Sequence, residues 1–182
     1  IALVNHSVSF SYTIDGTATL RLVSSNLRRR IVDIFGKKTG DDLIAVDVDT
    51  TLVRIEGFVG RPDSSRKKGA HQFFYVNGRY MRHPYFAKAV ASAFDGLVPE
   101  GEQVPYFLYL DIDPANIDVN ISPTKTEVKF ENEPAIWQII HAGIREALGR
   151  FNAVPTIDFD NAQEVDIPVM NEELKSVQPP QV

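Results

Sequence analysis

The first regular signal in the chain is an alternation of period two. In VSFSYTIDGTATLRLV (8–23), Val8, Phe10, Tyr12 and Ile14 share one face, and Asp15-Gly16 supplies the tight turn of a β-hairpin. The spacing then becomes helical. Leu27, Ile31, Ile34 and Phe35 fall on one stripe, Ser25 or Asn26 can cap the first turn, and Gly36 suits the position just past the last. Arg28-Arg29-Arg30 begins on the opposite, solvated side of that helix. LIAVDVDTTLVRIEGFVGRP (43–62) is too β-branched and too alternating for a helix and predicts two strands meeting near Asp49-Thr50.

PDSSRKKGA (62–70) reads as a polar, basic loop. HQFFYVNG (71–78) predicts a strand that ends in an Asn-Gly turn. Its consecutive Phe73, Phe74 and Tyr75 point alternately to the two faces, which suits a strand core rather than a one-sided platform for stacking bases. Pro84 fits the first turn of a helix running to about Gly96. QVPYFLYLDI (103–112) is apolar on both faces, the mark of a central strand. NISPTKTEVKF (120–130) begins and ends like a strand but is bent at Pro123-Thr124, and a last helix starts near Asn132-Glu133-Pro134. The stripe of that helix is Ile136, Ile139, Ile140, Ile144, Ala147 and Leu148, with Trp137 on the packed side. The order ββα, ββ, β, α, ββ, α predicts an α+β sandwich with helices laid against one face of a mixed sheet.

Charge divides the chain. The net charge is −5 over 182 residues, and residues 151–182 alone hold six acids against one base, which leaves 1–150 balanced. The expected organisation is therefore a folded domain over 1–150, with 1–7 as a connecting remnant, and an acidic, proline-broken linker over 151–182. Within 1–150 the bases cluster, and Arg61, Arg66, Lys67, Lys68, Arg79 and Arg82 bracket a single strand, so the fold is expected to bring them close together. They form a candidate DNA-binding surface, with Arg28 to Arg30 as the alternative.

The chain lacks cysteine, which excludes disulfides and thiolate metal sites. It has no apolar run of membrane-spanning length and no secretory signal, and with the lack of cysteine the expected setting is a reducing cytosol. The absence of an initiator methionine suggests a piece of a longer protein. Asp111, Asp113 and Asp118 fail the calcium-loop pattern, since Ala115 stands where Asp or Asn is needed and Asn116 where glycine is. His6, His71, His83 and His141 lack metal spacing, and neither a nucleophile elbow nor a phosphate loop is present. No metal site is expected.

Tyr75-Val76-Asn77-Gly78-Arg79 and then Asp118-Val119-Asn120-Ile121-Ser122-Pro123-Thr124-Lys125-Thr126-Glu127-Val128-Lys129-Phe130 resemble the MutL family of DNA mismatch-repair proteins. The family patterns are close to F-V-N-G-R and D-V-N-V-H-P-x-K-x-E-V-x-F. The histidine usual before the proline is Ser122 here, while the Pro-x-Lys spacing is intact.

The resemblance covers 1–150 and implies the family's transducer domain, a two-layer α/β sandwich with a left-handed βαβ crossover. This is a ribosomal-protein-type fold, as in the second domain of the DNA gyrase B protein. It also implies a neighbouring GHKL domain of the same chain that binds ATP with magnesium, and a role for Lys125, beside Thr124, in contacting the γ-phosphate. Further implied partners are DNA bound weakly and without sequence preference, a second copy of the full-length protein, and a mismatch-recognition protein of the MutS type. This stretch alone is not expected to hydrolyse ATP. The alternative is a stand-alone nucleic-acid-binding module of the same fold. A small-molecule kinase of the GHMP type is discarded, because the 11 glycines are scattered rather than gathered in a phosphate loop.

Overall fold

The computed structural model describes residues 1–118 and 129–153. In chain order the elements are β1 (Phe10–Ile14), β2 (Thr17–Leu22), α1 (Leu27–Phe35), α2 (Lys37–Asp41), β3 (Leu43–Asp49) and β4 (Arg54–Gly60). Then come β5 (Gln72–Val76), β6 (Arg79–Met81), α3 (Pro84–Ala93), β7 (Tyr106–Asp111), β8 (Ile117–Asp118), β9 (Lys129–Phe130) and α4 (Glu133–Ala153). The β1–β2 and β8–β9 hairpins stand apart from a five-stranded mixed sheet of order β3-β4-β7-β5-β6. Among the described strands only β5 and β7 run parallel, as neighbours. The chain passes between them through β6 and α3, the βαβ crossover of the expected α+β fold.

Local chemistry explains the boundaries. Asn26 caps α1 by accepting from the Arg29 N–H at 2.8 Å, and Gly36 closes that helix at φ 93°. Asp15-Gly16 and Asn77-Gly78 make their hairpin turns with positive φ at both residues, the conformation that two-residue hairpins require. At Gly57 a side chain would collide with the Phe107 carbonyl, so β4 needs glycine to approach β7.

The alternation along β5 and β7 builds two cores. Phe74, Val76, Leu108 and Leu110 face α3 and α4, whose Phe86, Val90, Ile136, Ile140 and Ile144 cover them. Burying each such side chain contributes roughly 1.5–3 kcal/mol. Helix α4 comes close enough to β3 that a side chain at Gly143 would strike Val48. On the other face Tyr75 and Phe107 are buried, with Phe73 and Tyr109 packed alongside, under Ile31 of α1 and Leu3. The Tyr109 hydroxyl donates to the Leu3 carbonyl at 2.9 Å, which fixes the start of the chain there.

The layer of α3 and α4 is the one the sequence predicts. The expectation that the helices share one face needs correction: α1 and the first residues form a partial third layer on the opposite face, because Tyr75, Phe107 and their neighbours leave that face apolar as well. As expected, β7 is the middle strand, Phe73 to Tyr75 alternate into the cores, and Trp137 packs partly buried against the α3–α4 side.

The arginine triplet needs correction. Arg28 and Arg29 are exposed, but Arg30 is completely buried. Its Nη2 donates to the carbonyls of His6, Val8 and Val23 at 2.8, 2.7 and 2.9 Å, and its guanidinium lies over the Phe10 ring. Backbone dipoles from segments distant in sequence solvate the charge, which allows it to be buried.

Candidate functional site

Thr124 and Lys125 lie outside the described residues, but the strands on either side of them do not. β8 and β9 pair antiparallel, with Ile117 opposite Phe130 and Asp118 opposite Lys129, so the chain leaves and re-enters at adjoining backbone positions. Upstream, Asp113 accepts from the Ala115 N–H at 2.9 Å and caps the turn leading into β8. Downstream, Phe130 is buried and the Glu131 N–H donates to the Asn116 carbonyl at 3.1 Å.

A compact polar joint supports this base. His83 caps α3, its Nδ1 accepting from the Phe86 N–H at 3.3 Å. With Nδ1 accepting, the ring proton sits on Nε2, which is 3.5 Å from Glu133 Oε1 at the start of α4. The same carboxylate oxygen accepts from the Phe130 N–H at 3.4 Å. The His83 ring stacks on Phe86 at 3.9 Å and meets Phe130 edge-on at 5.3 Å. One imidazole and one carboxylate thus connect the start of α3, the exit strand β9 and the start of α4.

The six predicted basic residues are not gathered as expected but fall at different places along the sheet, because β5 separates Arg79 from the rest. Arg61 follows β4, with its guanidinium over the Phe151 ring of α4 at 4.8 Å. Arg66 exchanges two backbone hydrogen bonds with Gln103, of 2.9 and 2.8 Å, which hold the 62–70 loop to the approach of β7. Lys67 and Lys68 follow it, exposed. Arg79 stands at the other end of β5, opposite Val76, while Arg82 lies past β6 and lines a hollow beside Gln72. Arg66 also acts on His71, whose imidazole pKa is lowered first by burial and then by that guanidinium.

Asn77 has a role beyond its turn. Its Nδ2 donates to the Ile112 carbonyl at 2.8 Å, and its Oδ1 accepts from the Ile112 N–H at 2.9 Å. The side chain pairs like one more strand residue and locks the β5–β6 hairpin, with Arg79, to the end of β7. Sequence reasoning saw the turn and missed the lock. The available signal was an asparagine, whose amide both donates and accepts, placed ahead of the glycine.

Residues 31–149 match the family described as "DNA mismatch repair protein, C-terminal domain". The chain is 58% identical over 181 residues to the DNA mismatch repair protein MutL of Phocaeicola vulgatus, a match covering 99% of this chain and 29% of that protein. It is 56% identical over 179 residues to MutL of Bacteroides fragilis, covering 98% and 29% respectively. The chain therefore spans under a third of the length of these relatives.

Among solved structures, a crystal structure of the N terminal domain of a DNA repair protein superposes with a TM-score of 0.69 at 24% identity, over 83% of this chain and 51% of that one. The ATPase domain of the mismatch repair endonuclease MutL from Aquifex aeolicus superposes with a TM-score of 0.52 at 18% identity, over 81% and 47%. At these identities the superpositions speak for the fold alone, while the sequence matches cover nearly the whole chain. This chain belongs to the MutL family of DNA mismatch-repair proteins.

Proposed function

We propose that this chain is the transducer domain of a mismatch-repair ATPase, and that Lys125 contacts the γ-phosphate of ATP held by another part of the full-length protein. The observation that carries this reading is the anchored base of the 119–128 stretch. Its two ends are paired strands tied to α3 and α4 through His83 and Glu133. A phosphate contact made from such a base shifts two helices with it, whereas one made from a free tail moves nothing. A compact ammonium suits a terminal phosphate, since its contact disappears when that phosphate leaves. Thr124 adjoins the same contact.

Among the described residues, no three His, Asp or Glu side chains gather to hold a metal ion. Magnesium would accompany ATP in the neighbouring GHKL domain, and this chain alone neither binds nor hydrolyses ATP appreciably. Closure of a dimer of the full-length protein and contact with a MutS-type partner are the outputs this coupling would serve. Arg61, Arg66, Lys67, Lys68 and Arg82, with Arg79 at the far end of β5, provide dispersed basic contacts for DNA phosphates, weak and without sequence preference. The second reading, a stand-alone nucleic-acid-binding module, rests on those bases alone. Nucleotide hydrolysis by the full-length parent, with and without the Lys125 ammonium, tests the proposal. A parental rate in Lys125→Ala overturns it.

A further inference from the structure

The β6 strand ends at Met81, opposite Phe74, so the outer side of Gln72 has no strand partner among the described residues, while its inner side pairs with Tyr106 of β7. Two hollows open there. One, of about 180 Å³, lies between α3 and the 98–104 loop, and the other, of about 240 Å³, lies toward the start of α3. They share Gln72, Ala87 and Tyr106 as lining residues, so they adjoin along the open strand edge.

Tyr106 is the unusual member of this wall. It is 4% exposed and its ring packs on Phe74 at 4.8 Å, yet no described residue hydrogen-bonds its hydroxyl. Burial, with Tyr80 adding to it, pushes the phenol pKa well above its ordinary value, so the hydroxyl keeps its proton. The hydroxyl is not among the enclosed polar atoms that lack a partner, so this oxygen opens to solvent where the residue lines both hollows.

The first hollow adds a definite chemistry. Its floor includes Val90, Phe94 and Val98, while Asp95, Glu100 and Glu102 stand on its rim. Ser92 donates to Asp95 and Ser65 to Glu102, but among the described residues no positive side chain pairs with any of the three. No described Lys, Arg or His lines this hollow. An apolar floor beneath an unopposed acidic rim selects an apolar group carrying a nearby positive charge. The chain's own 154–182 stretch is acidic and would be repelled.

We propose that this cleft is a docking site for an extended peptide segment of a partner protein. The segment places an aliphatic side chain on the Val90–Phe94–Val98 floor, a lysine or arginine against Glu100 and its acidic neighbours, and a backbone group on the Tyr106 hydroxyl. A peptide is favoured over a small cation because the open edge at Gln72 offers strand backbone for pairing alongside the pocket, a recurrent mode of peptide capture. This proposal does not depend on the ATP reading.

The test is amide chemical-shift titration of the 182-residue chain with acetyl-Lys-Leu-Val-Arg-amide. Saturable shifts are expected at Gln72, Ala87, Ala91 and Val104. Glu100→Lys should weaken binding by about fivefold, the scale of one exposed charge pair. Tyr106→Phe, which keeps the ring, should weaken it while leaving the spectrum of the free protein dispersed. Ala91→Trp, which fills the first hollow from an exposed helix position, should abolish the shifts. The proposal is overturned if no saturable shifts appear, or if they persist in Ala91→Trp. It is equally overturned if acetyl-Glu-Leu-Val-Glu-amide binds as well, or if hexylammonium alone binds as tightly as the peptide, which would make this a small-cation pocket.

Discussion

The side chain of Asn77 and the backbone of Ile112 are joined by two reciprocal hydrogen bonds, so a turn residue acts as the last rung of the parallel β5–β7 pair. This relationship fixes the hairpin that carries Arg79 to the strand that leads into β8. Asn77 also sits at φ 46°, a conformation that asparagine tolerates better than most residues. Asn77→Ala should therefore cost about 2 kcal/mol from two lost bonds, plus a further contribution from the backbone. Asn77→Gly should cost less, because glycine relieves the backbone and loses only the bonds. Urea unfolding of the three proteins measures the order, and equal midpoints for Asn77→Ala and the parent would refute the lock.

Arg30 gives a second prediction. Its guanidinium ties the start of the chain, the entry to β1 and the residue after β2 to α1, with carbonyls rather than a carboxylate as partners. Arg30→Ala should destabilise the domain by about 3–5 kcal/mol, since it leaves a cavity and up to three carbonyls without their donor. Arg30→Lys should recover only part of this, since an ammonium lacks the planar fork. Hydrogen exchange should rise first in residues 6–25. Protection unchanged there would show that the clamp contributes nothing.

His71 provides a pH test. Its folded pKa lies below the ordinary 6.5, mainly through burial and secondarily through Arg66. The unfolded chain therefore takes up the proton first. The stabilising contribution is complete above the unfolded value and declines as pH falls through about 6.5 toward the folded pKa. Arg66→Gln should raise the folded pKa toward 6.5, read from the ring carbon shifts in an NMR titration. DNA phosphates that neutralise Arg66 should move it the same way. A curve identical in parent and Arg66→Gln would exclude the coupling.

For the basic surface, the expectation is a salt law. If about three of the six cations meet phosphates, affinity for duplex DNA should fall roughly as the inverse third power of salt concentration. Double reversal to glutamate at Arg79 and Arg82 should weaken binding. The same double reversal at Arg28 and Arg29 tests the alternative surface, from which buried Arg30 is excluded. Binding by fluorescence anisotropy that ignores salt, or that survives the Arg79 and Arg82 reversal unchanged, would remove the assignment.

Much of the architecture is written in short-range chemistry. Asp15-Gly16, Asn77-Gly78, Asn26 and Gly36 each impose a local geometry that the chain adopts, and the two-sided apolar run at 106–110 places β7 at the centre. The second cover was not foreseen: the expected sandwich had its helices on one face, whereas α1 and Leu3 close over Phe73, Tyr75, Phe107 and Tyr109 on the other. The burial of Arg30 was not legible, because its partners are carbonyls brought in from residues 6, 8 and 23 and helical period says nothing about them. Helix α2 and strand β6 have five and three residues, too few for a periodic signal. The joint between His83 and Glu133 escaped for a related reason, since it joins residues about fifty apart only once α3 and α4 have packed together.

The last prediction concerns Lys125 in the full-length parent. A charged contact to a phosphate is worth roughly 1.5–3 kcal/mol, enough to shift a conformational equilibrium about ten- to a hundredfold. Lys125→Ala should leave the fold intact, because the residues that fix the ends of its stretch, Ile117, Phe130 and Glu133, are untouched. ATP turnover should fall by roughly one to two orders of magnitude if the lost contact acts in the transition state as well as in closure. ADP affinity should barely change, since ADP lacks the phosphate concerned. Lys129 is the internal control: it is exposed on β9 and pairs by register with Asp118, so Lys129→Ala should be nearly neutral. Glu133→Gln adds a test of transmission. It keeps the side chain's shape but weakens its hold on His83 and the Phe130 N–H, and so should uncouple ATP binding from closure more than it reduces ATP affinity. If Lys125→Ala loses ADP and ATP affinity equally, the contact is not with the γ-phosphate. If Glu133→Gln closes with ATP as readily as the parent, the joint does not carry the signal.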